Sequence, residues 1–445
     1  MEVTLLKMQV GGIKNIEKDI VLLFDTPNRT KTKGHGLIKA IYGPNGVGKT
    51  AIVLAADFYA RLTKDETSLD DTPTMAILSQ LINARRKEFF IEMSYRFVSD
   101  EKSTPVYVTH SISIGHDSFG AMRILSERVV ETDRKGKQKW MLQRDADGLK
   151  GEDGAMSFLK KNQADLSKHS MVGSFPASLS FTKEDSQAFI RAWRPLFIVL
   201  TCATRLRTFY GEASDSHESF ALQKLLDFIA NEKSTDEAEY RATLTKWLTK
   251  RQRVLLSKHF YKDCFEVIDK EEKKSFDAAI PNLSRFLKIM KPDLEKIAPV
   301  YKSNGSNIIV DLEFHYQGGY TVSYEFESTG IKKLSRLYFA LHAASKGSVA
   351  FIDEIDSDIH DVYIEKLVEY FLLNTTAQII LTTHNVGIMD SLNEYSNTID
   401  FLTPQGHIVT WAIGGRRKPQ KTYLKGYISG IPFNLSDYQF AEVFA

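Results

Sequence analysis

Residues 43–50 read GPNGVGKT, and every fixed position of the pattern G-x-x-x-x-G-K-[ST] is filled. The run before it, Leu37-Ile-Lys-Ala-Ile-Tyr42, has the look of a buried strand, and Ala51-Ile-Val-Leu-Ala-Ala-Asp-Phe-Tyr-Ala60 reads as a helix. A strand, a glycine-rich turn and a helix start together make a cradle for polyphosphate. Gly43, Gly46 and Gly48 let the backbone come close and turn its N–H groups inward. The expected contacts run from Gly43 through Pro44, Asn45, Gly46, Val47, Gly48, Lys49 and Thr50 to Ala51. Lys49 is placed to reach the β- and γ-phosphates, and the Thr50 hydroxyl to bind Mg2+. The bland alternative is a glycine-rich turn followed by a chance Lys-Thr. The strand before it and the helix after it speak against that.

The rest of the chain is large enough to build around this loop. Its 445 residues are 43% hydrophobic and 26% charged, which suits a globular protein with two or three domains' worth of core. A formal net charge of +2 makes no bulk case for nucleic acid. The two cysteines, Cys202 and Cys264, form no metal or redox motif, and a reduced cytoplasmic compartment fits them. The opening MEVTLLKMQVGG does not read as a signal peptide, and no apolar run is long enough for a membrane span.

The expected fold is α/β. An N-terminal lobe, residues 1–150, carries the loop and an antiparallel side sheet. Residues 3–10 and 17–24 read as strands around the Gly11-Gly12 turn. The alternating runs FFIEMSYRFV, PVYVTHSISI, GAMRILSERVV and KQKWMLQRD give the side sheet its strands. Residues 151–297 read as a mostly helical inserted lobe, broken at Pro281 and Pro292 and too irregular for a long coiled coil. Residues 298–415 form a C-terminal lobe, and 416–445 a basic and apolar tail.

The C-terminal lobe holds the remaining chemistry. Val349-Ala-Phe-Ile-Asp353-Glu354 is four apolar residues ending in two acids, the look of a buried parallel strand with its ligand end forward. Asp353 is placed to hold Mg2+, and Glu354 to orient or deprotonate an attacking water. Ala377-Gln-Ile-Ile-Leu-Thr-Thr-His384 is a second such strand, and its His384 is a candidate sensor of the γ-phosphate. Ser328 reads as the N-cap of a helix over 331–344, with Gly330 allowing a close approach. A capped helix with no further role is the plain alternative there.

Together and in this order, these elements resemble the ABC-type P-loop ATPases of the RecF and SMC-head branch. The resemblance implies a mixed central sheet, an antiparallel side sheet and an inserted helical lobe. It also implies ATP and Mg2+ as cofactors, with Lys49, Thr50 and Asp353 binding them, Glu354 as catalytic base and His384 as a catalytic switch. Ser328 and Gly330 would belong to the signature that reaches the nucleotide of the opposite subunit in a head-to-tail homodimer. Asp356, Ser357 and Asp358 would form the dimer-contacting loop. Two positions depart from the transporter pattern: the signature reads Glu327-Ser-Thr-Gly-Ile331, and His360 stands where transporters carry Asp. These departures, with the tail YLKGYISGIPFNLSDYQF, look like ATPase subunits of anti-phage defence systems, of the PARIS or RloA/AbiL abortive-infection types.

Three functional readings follow. One is an ATP-gated sensor that controls a separate toxic effector, such as a topoisomerase-primase-type nuclease, with a phage-encoded trigger. Another is a RecF-like DNA-repair clamp. The third is the ATP-binding subunit of a transporter, which the helical insert and altered signature disfavour. A larger homo-oligomer of dimers stays open. So does nucleic-acid contact through Arg416, Arg417, Lys418, Lys421 and Lys425, which equally suit an acidic partner or a solvated tail.

Overall fold

The computed structural model describes residues 2–25, 36–64, 69, 78–98, 103–161, 166–177, 186–210, 266–269, 273–304, 307–412 and 418–428. Expectations over 211–265, which include the helical faces at Leu222–Ile229 and Tyr240–Leu255, lie outside them. So do Arg416, Arg417 and the tail beyond 428.

Strand β1 (Glu2–Gly11) pairs antiparallel with β2 (Ile20–Leu23). Strand β3 (Leu37–Tyr42) runs into the glycine-rich loop and helix α1 (Lys49–Lys64). Four long antiparallel strands follow: β4 (Glu88–Val98), β5 (Val106–His116), β6 (Met122–Thr132) and β7 (Gln138–Asp145), with β8 (Gly148–Gly151) at the end. Their sheet has the order β2-β1-β4-β5-β6-β7-β8, so the N-terminal hairpin belongs to the side sheet.

Helix α2 (Ser186–Ala203) leads into β9 (Leu206–Phe209). A short strand, β10 (Glu266–Asp269), precedes helix α3 (Lys273–Met290). Strands β11 (Leu294–Asn304), β12 (Asn307–Tyr316) and β13 (Thr321–Ser323) come next. With β10 they form a third, four-stranded antiparallel sheet. Helix α4 (Thr329–Ser345), β14 (Val349–Ile352), helix α5 (Asp361–Asn374), β15 (Gln378–Thr382), β16 (Ile399–Leu402), β17 (Ile408–Thr410) and helix α6 (Pro419–Leu424) follow in order.

The central sheet has the order β17-β16-β3-β15-β14-β9. All its pairings are parallel except β16–β17, so it is mixed. Period-two alternation gives it two apolar faces. Ile38, Ala40, Tyr42, Ala350, Ile352, Ile379 and Leu381 join the core shared with α3, α4 and α5. Ile41, Val349, Phe351 and Ile380 join the core shared with α1, α2 and the side sheet. Helix α1 lies between two sheets, which is why nearly all its residues are buried.

Two local readings need correction. Residues 206–209 fall in a stretch read as helical, yet Leu-Arg-Thr-Phe forms the edge strand β9, paired in parallel with β14. Only Leu206 and Phe209 of its four residues are apolar, whereas the neighbouring β14 is apolar throughout. Pro281 does not end a helix but sits inside α3. A helix-interior proline costs about 3 kcal/mol. Ile280, Leu283 and Leu287 beside it are buried, at about 1.5–3 kcal/mol each, and their burial outweighs that cost.

A buried ion pair pins the sheet beneath the loop. Lys39 Nζ donates to Asp400 Oδ2 at 2.7 Å between β3 and β16, and Thr410 Oγ1 donates to the other carboxylate oxygen at 2.7 Å. Burial lowers the Lys39 ammonium pKa and raises that of Asp400, each partly offset by the other.

Candidate functional site

The strand order brings three ligand-facing ends together. Strand β15 lies between β3 and β14, so the strand that leads to His384 separates the glycine-rich loop from Asp353-Glu354. Ligands in such sheets gather beyond the C-terminal strand ends.

The loop is held from both sides. Gly46 and Gly48 have φ of +74° and +113°, conformations that favour glycine. A Cβ on Gly43 would lie 2.6 Å from the Leu402 carbonyl, and one on Gly48 2.8 Å from Asn15 Oδ1. A Cβ on Gly46 would meet nothing within 4 Å; its outer side is open. Asn15 donates from Nδ2 to the Gly46 carbonyl. Val47 and Ala51 are buried anchors, Pro44 and Thr50 are half-buried, and Asn45 is exposed.

Lys49 is buried, and its Nζ donates to the loop's own carbonyls, Gly43 at 2.8 Å and Pro44 at 3.1 Å. Desolvation lowers its pKa; the charges of Asp353, Glu354 and Asp356 oppose the shift. Those carboxylates therefore share a field with the Lys49 ammonium.

Asp353 is buried at the end of β14, and its N–H donates to the Phe209 carbonyl at 2.7 Å. Its Oδ1 accepts from Thr382 Oγ1 at 2.5 Å. The same hydroxyl accepts from the Glu354 N–H at 2.8 Å. Glu354 is exposed and has φ of +44°, a conformation that costs a non-glycine residue about 1–3 kcal/mol. Besides Thr382, its peptide is held by Lys333 of α4, whose Nζ donates to the Glu354 carbonyl and to Ser357 Oγ.

His384 caps the end of β15. Its N–H donates to Asp356 Oδ2 at 3.1 Å. Desolvation, then the Lys49 charge, lowers its imidazole pKa against the pull of Asp356, Glu354 and Asp353. The next residue, Asn385, donates from Nδ2 to Asp361 Oδ1 at 3.0 Å and accepts at its carbonyl from the Tyr42 hydroxyl at 3.0 Å.

Ser328 and Gly330 sit apart from this cluster. Ser328 caps α4, its side chain accepting from the Ile331 N–H at 3.4 Å, and its own N–H donates to Glu327 Oε2 at 3.2 Å. A Cβ on Gly330 would lie 2.7 Å from the Asp358 carbonyl. The glycine is thus required by the chain's own 356–360 loop. Asp358 there has φ of +59°, and His360 caps α5 through Nδ1, which accepts from the Val362 N–H at 3.4 Å.

Among the described residues, no group of three or more His, Cys, Asp or Glu side chains could hold a metal ion by itself. One threonine hydroxyl and one carboxylate, completed by phosphate oxygens and water, suit Mg2+, which keeps much of its shell. The donor set of the loop, Lys49, Thr50 and Asp353 fits a magnesium nucleotide on these grounds. Sequence reasoning missed Thr382, Lys333 and Asn15. Only Asn15 left a local signal, the polar turn GGIKNI beside a strand end.

Among the described residues no helix is long and apolar enough to cross a membrane. A family model described as "AAA domain, putative AbiEii toxin, Type IV TA system" matches residues 214–390. No curated protein matches the chain. Among solved structures, the chain is similar to the Smc head domain of Pyrococcus furiosus, solved with an extended coiled coil bound to the C-terminal domain of ScpA. The identity is 15% over 92% of this chain and 96% of that one, at a TM-score of 0.42. The SMC head domain from Thermotoga maritima matches at 14% identity over 92% and 99%, with a TM-score of 0.33. The recombination mediator RecF matches at 12% over 92% and 99%, with a TM-score of 0.38. At these scores the likeness carries no argument about activity; the fold rests on the strand order described above.

Proposed function

We propose that this chain is a Mg2+-dependent ATPase of the ABC type, working as a head-to-tail dimer whose closure is gated by ATP. The observation that carries the reading is the convergence of Lys49, Asp353, Glu354 and His384 at three adjacent strand ends. Backbone N–H groups of residues 45–51 and the Lys49 ammonium would bind the phosphates. Thr50 and Asp353 would hold the metal, which supplies charge neutralisation at the transferring phosphate. Glu354 accepts a proton from the attacking water, and His384, neutral at pH 7, donates or accepts one hydrogen bond at the terminal phosphate. Ser328 and Gly330 serve the opposite subunit's nucleotide, so neither subunit holds a complete site.

The output is a conformational change passed to a separate effector in anti-phage defence. The words "putative AbiEii toxin, Type IV TA system" in the description of the matching family model and the altered signature, Glu327-Ser-Thr-Gly, support this reading. A nuclease of the topoisomerase-primase type is the effector expected, and a phage product the trigger. Co-purification from the native host tests it: a nuclease subunit retained with ATP supports the reading, and repeated recovery of the chain alone contradicts it. A RecF-like clamp on DNA is the second reading. It draws on the exposed Lys418, Lys421 and Lys425 and requires ATP-dependent, salt-sensitive DNA binding.

A further inference from the structure

Gly43 closes β3 and opens the loop, and it is buried. A buried N–H at the strand end needs an acceptor within the protein. An aromatic side chain from the far end of the chain packs against this strand end. Tyr423, on helix α6, is 5% exposed; burial pushes its phenol pKa up to about 12, and a hydrogen bond with the Gly43 backbone opposes that shift. Its ring stacks on Phe401 at 5.3 Å and 26°, and meets Tyr42 edge-on at 5.8 Å and 61°. Tyr42 packs on Phe401 at 6.0 Å and donates its hydroxyl to the Asn385 carbonyl, the residue after His384. Next to Phe401, the Leu402 carbonyl fills the space of a Gly43 side chain. One aromatic cluster therefore supports both the first residue of the phosphate loop and the turn that carries His384.

We propose that Tyr423 is a positioning residue for the phosphate loop, so that nucleotide affinity depends on the C-terminal helix. The inference rests on the nucleotide-binding reading above and adds a control point outside the glycine-rich motif. The outer side of α6 carries the exposed Lys421 and Leu424, followed by the exposed Lys425 and Tyr427.

The test uses the full-length chain. Fluorescent mant-ADP is titrated with Mg2+, and backbone hydrogen exchange across residues 42–48 is followed without nucleotide. Tyr423→Phe keeps the stacked ring and removes the hydroxyl beside Gly43. Roughly tenfold weaker ADP binding is expected, with faster exchange confined to 42–48. Tyr423→Leu, which also removes the stacking, should bind more weakly still. Parental affinity and parental exchange in Tyr423→Phe would overturn the proposal. So would faster exchange spread equally through β5 and β6, which marks general loss of stability. If the parent itself fails to bind, or Lys49→Ala binds as well as the parent, the nucleotide reading falls. The exchange at 42–48 then still decides whether Tyr423 holds the loop.

Discussion

The hydroxyl of Thr382 donates to Asp353 across the parallel pair β14–β15 at 2.5 Å, and the same oxygen accepts from the N–H of Glu354 at 2.8 Å. One hydroxyl thus fixes both the candidate metal carboxylate and the peptide of the candidate base. Thr382→Val keeps the shape and removes both bonds. Turnover should fall by about 10–100-fold, with ADP affinity within about threefold of the parent. Steady-state hydrolysis beside equilibrium binding checks it; an equal loss in both would assign Thr382 to binding alone.

Lys49→Ala should abolish nucleotide binding, because it removes the only side-chain charge of the phosphate loop. Glu354→Gln should keep binding and lose hydrolysis by at least about a hundredfold. Parental turnover in the Glu354→Gln variant would remove Glu354 from the mechanism.

The imidazole of His384 is held below its ordinary pKa by desolvation and then by the Lys49 ammonium. A depressed histidine favours the neutral form, so its contribution to stability is present above the unfolded pKa of about 6.5. It is lost as pH falls through the lower folded value. Imidazole proton shifts followed by NMR should place the His384 midpoint below 6.5, and Lys49→Met should raise it. A midpoint that ignores Lys49 would contradict the shared field.

Beneath the loop, Lys39 and Asp400 form an ion pair with side chains 3% and 0% exposed. Asp400→Asn strands a buried ammonium, and a loss of about 3–5 kcal/mol is expected in denaturant unfolding. The double change Lys39→Met with Asp400→Leu should recover most of it. A single variant as stable as the parent would show that the pair adds nothing.

Much of the site was legible because its chemistry sits at the ends of mostly apolar runs. Leu37–Tyr42, Val349–Ile352 and Gln378–Thr382 are each buried strands whose next residues carry polar function. The side-sheet strands were legible from period-two alternation. What was not legible depends on contacts distant in sequence. Gln378 donates from Nε2 to the Leu5 carbonyl and accepts from the Leu5 N–H, at 2.7 and 2.9 Å, tying the central strand to the side sheet. No local pattern pairs residues 373 positions apart. The role of Thr382 is hidden for the same reason, and β9 because only two of its four residues are apolar.

Gly330 faces the Asp358 carbonyl at the start of α4. Gly330→Ala should displace the 356–360 loop while leaving ADP binding by the Lys49 site near parental. ATP-dependent association should weaken by at least about tenfold. Unchanged association would separate this loop from the dimer surface.

In the proposed head-to-tail pair, two copies of the chain complete one nucleotide site. Sedimentation of the Glu354→Gln protein with MgATP tests this pairing. The particle should double in mass relative to the nucleotide-free form, and adding Ser328→Arg should prevent the doubling while MgATP still binds. A protein that binds MgATP and keeps its nucleotide-free mass, with or without Ser328, would contradict it.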